Sequence, residues 1–278
     1  MAVCFNLSKS GSPDLSRVIH FNLTDHDAQK YEFEVYPLNY EMKHADIEEI
    51  GLLFIVNPFT AAGQRYWIQR CYLDYPNSPN VTNLTGKKHI WSKNDVHTWK
   101  YLRWTTLGYH HNWDTKVYSL DHHTPFPADL ASLNAFFAKI LQFPPYFAEA
   151  AIVNYYHLDS TLAGHVDRSE FDLEAPLFSI SFGSPAIFLL GGQTKSEEPS
   201  AMMLNSGDVV VMSGQSRLSY HAVPKILSSE ATPWLELENH EQERPEWIHV
   251  KKVICQSRIN LNVRQAQTET ISKSLLTT

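Results

Sequence analysis

The chain has 278 residues, and its 43% hydrophobic and 12% aromatic content is typical of a packed globular protein and excludes wholesale disorder. Its formal net charge of −7 excludes a uniformly basic nucleic-acid coat, but it leaves a local basic groove open because binding follows the charge distribution. The three cysteines, Cys4, Cys71 and Cys255, are widely spaced, so neither a disulfide framework nor a structural zinc site is expected and a reducing compartment is favoured.

The N-terminal part of the chain, residues 1–86, is predicted to be an extension followed by helices. Residues 1–43 are weakly periodic and favour an extended arm, and Met1–Ser16 lacks the continuous apolar core of a secretion signal. His44–Phe59 and Thr60–Tyr75 are predicted to be helical, the second because its aromatic side chains fall on overlapping faces. No stretch approaches the roughly 18 apolar residues of a membrane-spanning helix.

An unusual composition marks the segment Lys87–Tyr118, where aromatic side chains alternate with lysines and arginines. Its carboxylates are limited to Asp95 and Asp114. Pro127 then opens an amphipathic helix, which Pro144-Pro145 closes. We therefore divide residues 87–149 into this cationic aromatic segment and a support helix. The apolar stripe of that helix consists of Leu130, Leu133, Phe136, Phe137, Ile140 and Leu141.

Short strands separated by turns are predicted from Ala150 onward, in a third region that covers residues 150–265. Many short strands at this spacing predict a sandwich, a jelly roll or a barrel. Leu227–Glu246 is rich in Glu and Pro and predicts an acidic surface insertion, and residues 266–278 form a polar tail. The predicted strands are Ala151–Leu158, Leu177–Phe182, Ala186–Leu190, Val209–Met212, Leu218–Ile226 and Val253–Val263.

Candidate metal ligands occur in this third region. His165 and Asp167 are two residues apart, and in an extended strand such residues point to the same face. His221 lies in a later strand-like run and could supply a second imidazole. Two histidines and one carboxylate on one face of an iron ion leave its opposite face open for oxygen and a co-substrate. In isolation, a His-x-Asp pair is more often part of a polar surface loop, and a lone histidine is more often a satisfied core residue.

A strand of inverted polarity is predicted near the C-terminus, at Arg258–Arg264. Its polar face would be costly in a dry core, so it predicts either a solvent-facing strand or a pocket for an anion. Arginine binds carboxylates through a fork of two hydrogen bonds, which suits the second interpretation. Asn154 and Tyr156 share a face of an earlier strand and could add neutral donors to the same pocket. The polar residues of the late strand are Arg258, Asn260, Asn262 and Arg264.

Together these residues resemble the signature of the AlkB dioxygenases, and longer segments between about Trp91 and Pro224 resemble the AlkB homologue 1 branch of that family. The family usually has Thr where Asn262 stands, but this difference does not fall on a proposed ligand, so the predicted metal and co-substrate roles are retained. The segment after the Asn-x-Tyr pair often holds Gly where this chain has Asp159. In chain order, the matching motifs are Asn154-x-Tyr156, His165-x-Asp167, His221 and Arg258-x-Asn260-x-Asn262-x-Arg264.

The resemblance implies an α+β fold, with a double-stranded β-helix (jelly-roll) core, N-terminal helices and a nucleotide-recognition segment. It implies that His165, Asp167 and His221 bind iron(II) as the catalytic centre and that 2-oxoglutarate is the co-substrate. The distal carboxylate of 2-oxoglutarate would pair with Arg258, assisted by Asn154, Tyr156, Asn260 and Arg264. The implied reaction is oxidation of N-methyl groups on nucleic-acid bases, such as N6-methyladenine in DNA or methylated tRNA bases (N1-methyladenine, 5-methylcytosine), with formaldehyde leaving N-methyl groups.

A base inside a duplex cannot reach a buried iron, so the substrate base must be flipped out or unpaired. The segment Lys87–Tyr118 has cations for phosphates and aromatic faces for stacking, although at least half of its tryptophans are expected in the core. Glu170 could accept a hydrogen bond from an adenine amino group or could be a solvated loop carboxylate. The other candidate substrate-binding residues are Lys87, Lys88, Arg103, Trp104 and Tyr109.

Two alternatives remain open at the level of the sequence. The first is a 2-oxoglutarate dioxygenase that acts on protein, as a histone demethylase or a hydroxylase. The second is a binding module with a decayed site, which the complete set of metal ligands disfavours. We expect the protein to bind nucleic acid as a monomer, without membrane association, and to be located in the nucleus or the mitochondrion. The sequence does not distinguish DNA from RNA, nor which modified base is preferred.

Overall fold

The computed structural model describes the backbone of two N-terminal strands, Val18–Phe21 and Tyr40–His44, and then residues 51–86, 96–235 and 244–267. Most of the predicted N-terminal arm and polar tail therefore lies outside the described residues. No helix within the described ranges combines the length and the apolar composition needed to cross a bilayer.

The described chain is mainly β-structure. The strands are β1 (Val18–Phe21), β2 (Tyr40–His44), β3 (Leu52–Ile55), β4 (Val81–Thr82), β5 (Trp104–Asn112), β6 (Val117–His123), β7 (Ala150–His157), β8 (Leu162–His165), β9 (Leu177–Gly183), β10 (Ala186–Leu190), β11 (Ser200–Leu204), β12 (Val209–Met212), β13 (His221–Ile226) and β14 (Ser257–Arg264). The α-helices are α1 (Ala61–Gln69), α2 (Val96–Trp99), α3 (Ala128–Ile140) and α4 (Trp247–Ile254). A π-helical turn, Arg70–Asp74, extends α1, and 3₁₀ turns cover Gly214–Leu218 and Pro233–Leu235.

These strands form two antiparallel sheets. The larger sheet has the order β1-β2-β3-β12-β9-β14-β7-β5-β4, with β6 paired to β5. The smaller sheet has the order β11-β10-β13-β8. All of the pairings are antiparallel, and neighbours in space are often distant in sequence, as in β3 with β12. This arrangement confirms the predicted α+β class with a jelly-roll core.

The larger sheet buries side chains on both of its faces. One face joins α1, α3 and α4 in a core that includes Phe137, Phe178 and Trp247. The opposite face meets the smaller sheet, where Tyr156 and Met212 pack with Phe188 and other residues of that sheet. The space between the two sheets therefore has an apolar lining, and part of it stays open as the cavity described below.

The predicted inverted polarity of the late strand is confirmed in β14. Ile259, Leu261 and Val263 are each 0% exposed and belong to the helix-side core. The alternating polar residues consequently face the smaller sheet. Because β14 lies between β7 and β9, its two hydrogen-bonded neighbours place Asn154 and Ser181 directly opposite Asn260.

The support helix is confirmed as α3, which follows Pro127 and carries Asp129 in its first turn. Its stripe packs into the core, with Leu130 and Leu133 each 0% exposed. The helix predicted over Thr60–Tyr75 is also confirmed, as α1 and its π-helical extension. The side chain of Thr60 caps α1 by accepting a hydrogen bond from the Gly63 amide.

Two helix and strand predictions are wrong. The segment His44–Phe59 contains β3, not a helix, because Gly51 has a φ of +69° and the strand after it pairs with β12. A Cβ atom at Gly51 would clash with the backbone carbonyl of Ser213, so a glycine is required where the chain enters β3. The predicted strand Val253–Val263 begins as α4, which buries Trp247, Val250 and Ile254 at helical spacing.

Three other predicted segments differ from the structure, and in each the sequence pattern for helix or strand is weak or mixed. The predicted strand Leu218–Ile226 starts at His221, after a 3₁₀ turn. The predicted acidic insertion Leu227–Glu246 lies partly outside the described residues, and its described part anchors Trp234, which is 1% exposed, in the core. The cationic aromatic segment contributes β5, which pairs with β7 in the larger sheet, a strand that its composition did not indicate.

Candidate active site

A cavity of about 560 Å³ lies between the two sheets. The larger sheet lines it with polar side chains of β7, β9 and β14, among them Asn154, Ser179 and Arg258. The smaller sheet contributes His165, His221 and apolar residues such as Phe188. The cavity therefore has a polar wall and a histidine-bearing wall that face each other.

The three predicted metal ligands lie together on the histidine-bearing wall. His165 ends β8 and is the register partner of His221, which opens β13. Asp167 follows β8 by two residues, and its carboxylate lies 3.8 Å from His165 Nε2 and 3.7 Å from His221 Nε2. One ligand atom from each residue lies within 4.8 Å of the others. This spacing brings three donors to one point.

Hydrogen bonds fix which ring nitrogen of each histidine faces that point. His165 Nδ1 lies 3.0 Å from the Ala163 carbonyl, and His221 Nδ1 lies 3.2 Å from the Ser219 carbonyl. Because a carbonyl oxygen accepts hydrogen bonds, each Nδ1 carries the proton and donates it. Nε2 of both rings is then left with a free lone pair beside Asp167, which is the form that binds a metal ion.

The carboxylate of Asp167 is held by two residues of β14. Arg264 Nη2 lies 2.9 Å from Oδ2, and Asn262 Nδ2 donates to the same oxygen at 3.1 Å. Burial by itself would raise the pKa of Asp167, but the charge of Arg264 holds it well below its usual range. Oδ1 accepts no hydrogen bond from the described residues and faces His165. Asn262, which stands where the family usually has Thr, therefore contacts the Asp167 carboxylate directly.

The three residues fit a divalent iron ion. Two neutral imidazoles and one ionised carboxylate form the donor set that mononuclear non-haem iron(II) sites use, with further coordination positions left open. His221 and Asp167 are buried, while His165 is half-exposed at the cavity wall. Ligands that are already deprotonated or neutral do not need to lose a proton before they bind the ion.

Arg258 lies on the opposite wall and is only 1% exposed. Its Nη2 donates to Ser181 Oγ at 2.6 Å, while Nη1 makes long contacts of 3.4 and 3.5 Å to backbone carbonyls and Nε has no partner. Burial lowers the pKa of Arg258 to about 10, so the group stays charged at neutral pH. No carboxylate of the described residues forms an ion pair with it. A buried cation with a free donor fits a ligand carboxylate.

The other predicted co-substrate residues also line the cavity. Asn260 Nδ2 donates to Ser179 Oγ at 2.7 Å, which fixes the orientation of its amide. Burial raises the pKa of Tyr156 to about 12, so its hydroxyl remains a donor. Arg264 differs from the others, because its guanidinium contacts Asp167, Glu170 and Tyr118. The donors of Arg264 are therefore directed to the metal-ligand side of the cavity.

The structure contradicts the interpretation of Glu170 as a substrate acceptor. Its side chain is 0% exposed, and its two oxygens accept hydrogen bonds from Arg264 Nη1 at 2.9 Å and Arg217 Nη2 at 3.0 Å. Arg217 also donates to the Asp167 backbone carbonyl. Burial by itself would raise the pKa of Glu170, but the two arginines lower it. Glu170 therefore neutralises the cations that hold Asp167 and does not line the cavity.

Changing Glu170 to Gln should destabilise the protein, because two buried arginines would lose their shared anion. We expect a loss of about 3 kcal/mol in the free energy of unfolding, or roughly 10 °C in melting temperature. Since its folded-state pKa is lowered, the contribution of Glu170 is present at neutral pH and lost on acidification. The measurement is thermal unfolding at pH 7, with Glu174→Gln as an exposed control in the same loop. Equal melting temperatures of the Glu170→Gln and Glu174→Gln variants would contradict this role.

The remaining predicted substrate residues are scattered. Lys87 and Lys88 lie outside the described residues. Arg103 is exposed and donates to the carbonyls of Lys100 and Leu102, away from the cavity. Trp104 approaches the cavity through Trp113, with ring centroids 5.2 Å apart. Tyr109 lines a separate cleft of about 570 Å³. Arg103 and Tyr109 are therefore not part of the cavity wall.

Several residues at the cavity mouth were not predicted as site residues. Trp113 and Lys116 lie in the turn between β5 and β6, inside the cationic aromatic segment, so its composition indicated the region but not the residues. His111 precedes them and lies 3.1 Å from Ser169 Oγ. Lys195 and Tyr220 line the same cavity, and no motif in the sequence marked them.

Comparisons with known proteins agree with this geometry. A sequence model of the 2OG-Fe(II) oxygenase superfamily matches residues 51–264, which contain the whole cavity wall. The chain is 43% identical over 248 residues to nucleic acid dioxygenase ALKBH1 of Mus musculus, which covers 80% of this chain and 63% of that relative. The chain thus spans less than two thirds of that relative's length.

Two further similarities support the match. The chain is 34% identical to tRNA demethylase abh1 of Schizosaccharomyces pombe, over 92% of this chain and 90% of that protein. The solved structure of OsALKBH1 superposes with a TM-score of 0.59 at 20% sequence identity, over 81% of this chain and 99% of that one. At that level of identity the superposition shows a shared fold.

Proposed function

The chain belongs to the 2OG-Fe(II) oxygenase superfamily, in its AlkB homologue 1 branch, and on that premise we propose that it is an iron(II)- and 2-oxoglutarate-dependent demethylase of nucleic-acid bases. The observation that carries the proposal is one cavity with two complementary walls. His165, Asp167 and His221 supply an iron-type donor set, and Arg258 supplies a buried cation without a carboxylate partner.

In this proposal one wall of the cavity binds the metal ion and the other binds the co-substrate. His165, Asp167 and His221 would hold iron(II), which would supply the activation of O₂. One oxygen atom would be used in the decarboxylation of 2-oxoglutarate to succinate and CO₂, and the other would oxidise a methyl C–H bond to hydroxymethyl. An N-hydroxymethyl group would then be released from the base as formaldehyde. Arg258, whose Nη2 donates to Ser181 Oγ, would hold the distal carboxylate of 2-oxoglutarate, and Tyr156 would donate a hydrogen bond from the cavity wall. Arg264 and Asn262 keep the Asp167 carboxylate ionised and fixed in position.

The mouth of the cavity supports a nucleic acid as the substrate. Exposed cations line it at Lys116, Arg168 and Lys195, and aromatic rings lie beside them at Trp113 and Tyr220. Cations suit phosphates and aromatic rings suit bases. The ligands are set back between the sheets, so the methylated base must be flipped or unpaired to reach them. A cationic mouth disfavours basic protein tails, which makes the protein-substrate alternative weaker.

The names of the relatives guide the choice of base. One is a nucleic acid dioxygenase and another a tRNA demethylase. We propose N6-methyladenine in DNA and methylated tRNA bases, such as N1-methyladenine or 5-methylcytosine, as the substrates to compare. A monomeric state and a nuclear or mitochondrial location remain predictions.

A turnover screen tests the proposal. The purified chain is incubated with iron(II), 2-oxoglutarate and oligonucleotides that carry one modified base each, in single-stranded, bulged, duplex and tRNA-like form. Mass spectrometry of the nucleosides and formaldehyde release measure the reaction. We expect unpaired substrates to lose N-methyl groups as formaldehyde and the C5 methyl group of 5-methylcytosine to be oxidised without loss of its carbon. Both reactions should depend on iron and on 2-oxoglutarate. If the protein turned over histone peptides but no oligonucleotide, the protein-substrate alternative would be favoured.

A further inference from the structure

Two lysine–aromatic pairs stand at the mouth of the cavity, on different loops. Lys116 Nζ lies 5.7 Å from the centre of the Trp113 ring, in the turn between β5 and β6. Lys195 Nζ lies 5.5 Å from the centre of the Tyr220 ring, with Lys195 in the β10–β11 loop and Tyr220 just before β13. All four side chains line the same cavity as the metal ligands. The mouth therefore carries two copies of the same arrangement, a lysine ammonium group beside an aromatic ring.

These side chains are available to a ligand. Both lysines are exposed, and Trp113 is 39% exposed although it is a large aromatic residue. Within the described ranges, neither ammonium group forms an ion pair with a carboxylate. The nearby carboxylate of Glu197 is occupied by the amide and hydroxyl of Thr194. Exposed aromatic surface beside free cations is typical of a recognition surface rather than of packing.

The backbone holds both pairs in place independently of their side chains. Tyr220 is fixed by two backbone hydrogen bonds, from its amide to Gly192 and from the Gly191 amide to its carbonyl. The turn before Lys116 is closed by Asn112, whose side chain accepts from the amides of Asp114 and Thr115. Lys116 donates its own amide to the Asn112 carbonyl at 2.8 Å. Side chains on such loops can be exchanged with little effect on the loop path.

We propose that the two pairs form a clamp for a single-stranded nucleic acid. Bases that flank the reacting base stack on Trp113 and Tyr220, and Lys116 and Lys195 contact the phosphates beside them. This rests on the proposed function and makes it more specific. A paired duplex keeps the faces of its bases stacked on one another, so only an unpaired strand offers both a base face and a phosphate to each pair. Arg168, exposed at the same mouth, adds a third cation.

Binding of an unmethylated oligonucleotide tests the clamp without relying on turnover. Fluorescence anisotropy measures the affinity of a labelled single strand and of its duplex across a series of salt concentrations. Lys116→Gln and Lys195→Gln should each reduce the slope of log affinity against log salt by about one unit. Tyr220→Leu should weaken single-strand binding about fivefold or more, while Tyr220→Phe, which keeps the ring, should retain most of the affinity.

Controls separate this clamp from general effects. Lys139→Gln removes an exposed lysine of α3, outside the cavity, and should change neither the affinity nor the salt slope. Iron(II) affinity reports whether Tyr220→Leu disturbs the adjacent His221. Unchanged single-strand affinity in Lys195→Gln and Tyr220→Leu, or equal binding of the duplex, would overturn the clamp. Failure of the proposed function would be seen differently, as absence of demethylation by the unaltered protein.

Discussion

Asp167→Asn should abolish turnover and lower the affinity for iron(II) by at least about 100-fold, because it removes the one anion of the ligand set. Asparagine has nearly the same shape as aspartate and can still accept from Arg264 and Asn262. The loss should therefore come from coordination rather than from packing. Iron(II) titration under anaerobic conditions measures the affinity, and formaldehyde release measures the reaction.

The matched control is Asp172→Asn, the same substitution five residues along the loop. Asp172 Oδ1 accepts hydrogen bonds from the amides of Glu174 and Ala175 and takes no part in the metal-ligand cluster. Its variant should bind iron(II) as the unaltered protein does. Circular dichroism establishes that both variants fold. An Asp167→Asn protein that binds iron(II) with undiminished affinity would exclude Asp167 as a ligand.

Arg258→Gln should weaken 2-oxoglutarate binding by roughly 100-fold, since a charge-assisted pair with a buried arginine contributes about 3 kcal/mol. Arg258→Lys keeps the charge but loses the planar fork, so an intermediate loss is expected. Isothermal titration with 2-oxoglutarate, with a redox-inert divalent metal in place of iron, measures the affinity directly. Affinity for an oligonucleotide should not change.

A second property distinguishes a ligand-binding role from a structural one. Arg258 is a buried cation that has no carboxylate partner among the described residues. In the absence of 2-oxoglutarate, Arg258→Gln should therefore not lower the melting temperature of the protein. Arg103→Gln, at an exposed arginine outside the cavity, is the control and should leave 2-oxoglutarate affinity unchanged. Equal 2-oxoglutarate affinity in Arg258→Gln and the unaltered protein would show that another residue binds the co-substrate.

The sequence predicted the parts of the site that depend on local geometry. The period-2 pattern of β14 was sufficient to place Arg258 and Asn260 on the face opposite Ile259 and Leu261, because strand alternation is a property of the backbone itself. The short His165-x-Asp167 spacing likewise brought two ligands together, although β8 ends at His165 and Asp167 lies beyond it.

The parts that failed depend on contacts between distant segments. Glu170 resembles an ordinary loop carboxylate in sequence, and its partners Arg217 and Arg264 are 47 and 94 residues away. Tyr109 and His111 should share a strand face, but the β5–β6 register shifts between them and they line different clefts. Such irregularities are decided by tertiary packing, which single-sequence patterns do not contain.

The protein itself holds every metal ligand in position: carbonyls of Ala163 and Ser219 orient the two histidines, and Arg264 and Asn262 hold Asp167. The site is thus preorganised, and little of the free energy of metal binding is used to order the chain. Folding and metal binding are then weakly linked, unlike in zinc fingers, where the apo chain is unfolded. A chelator should strip the ion and leave a native-like apoprotein, so reloading the enzyme follows the supply of iron and requires no refolding.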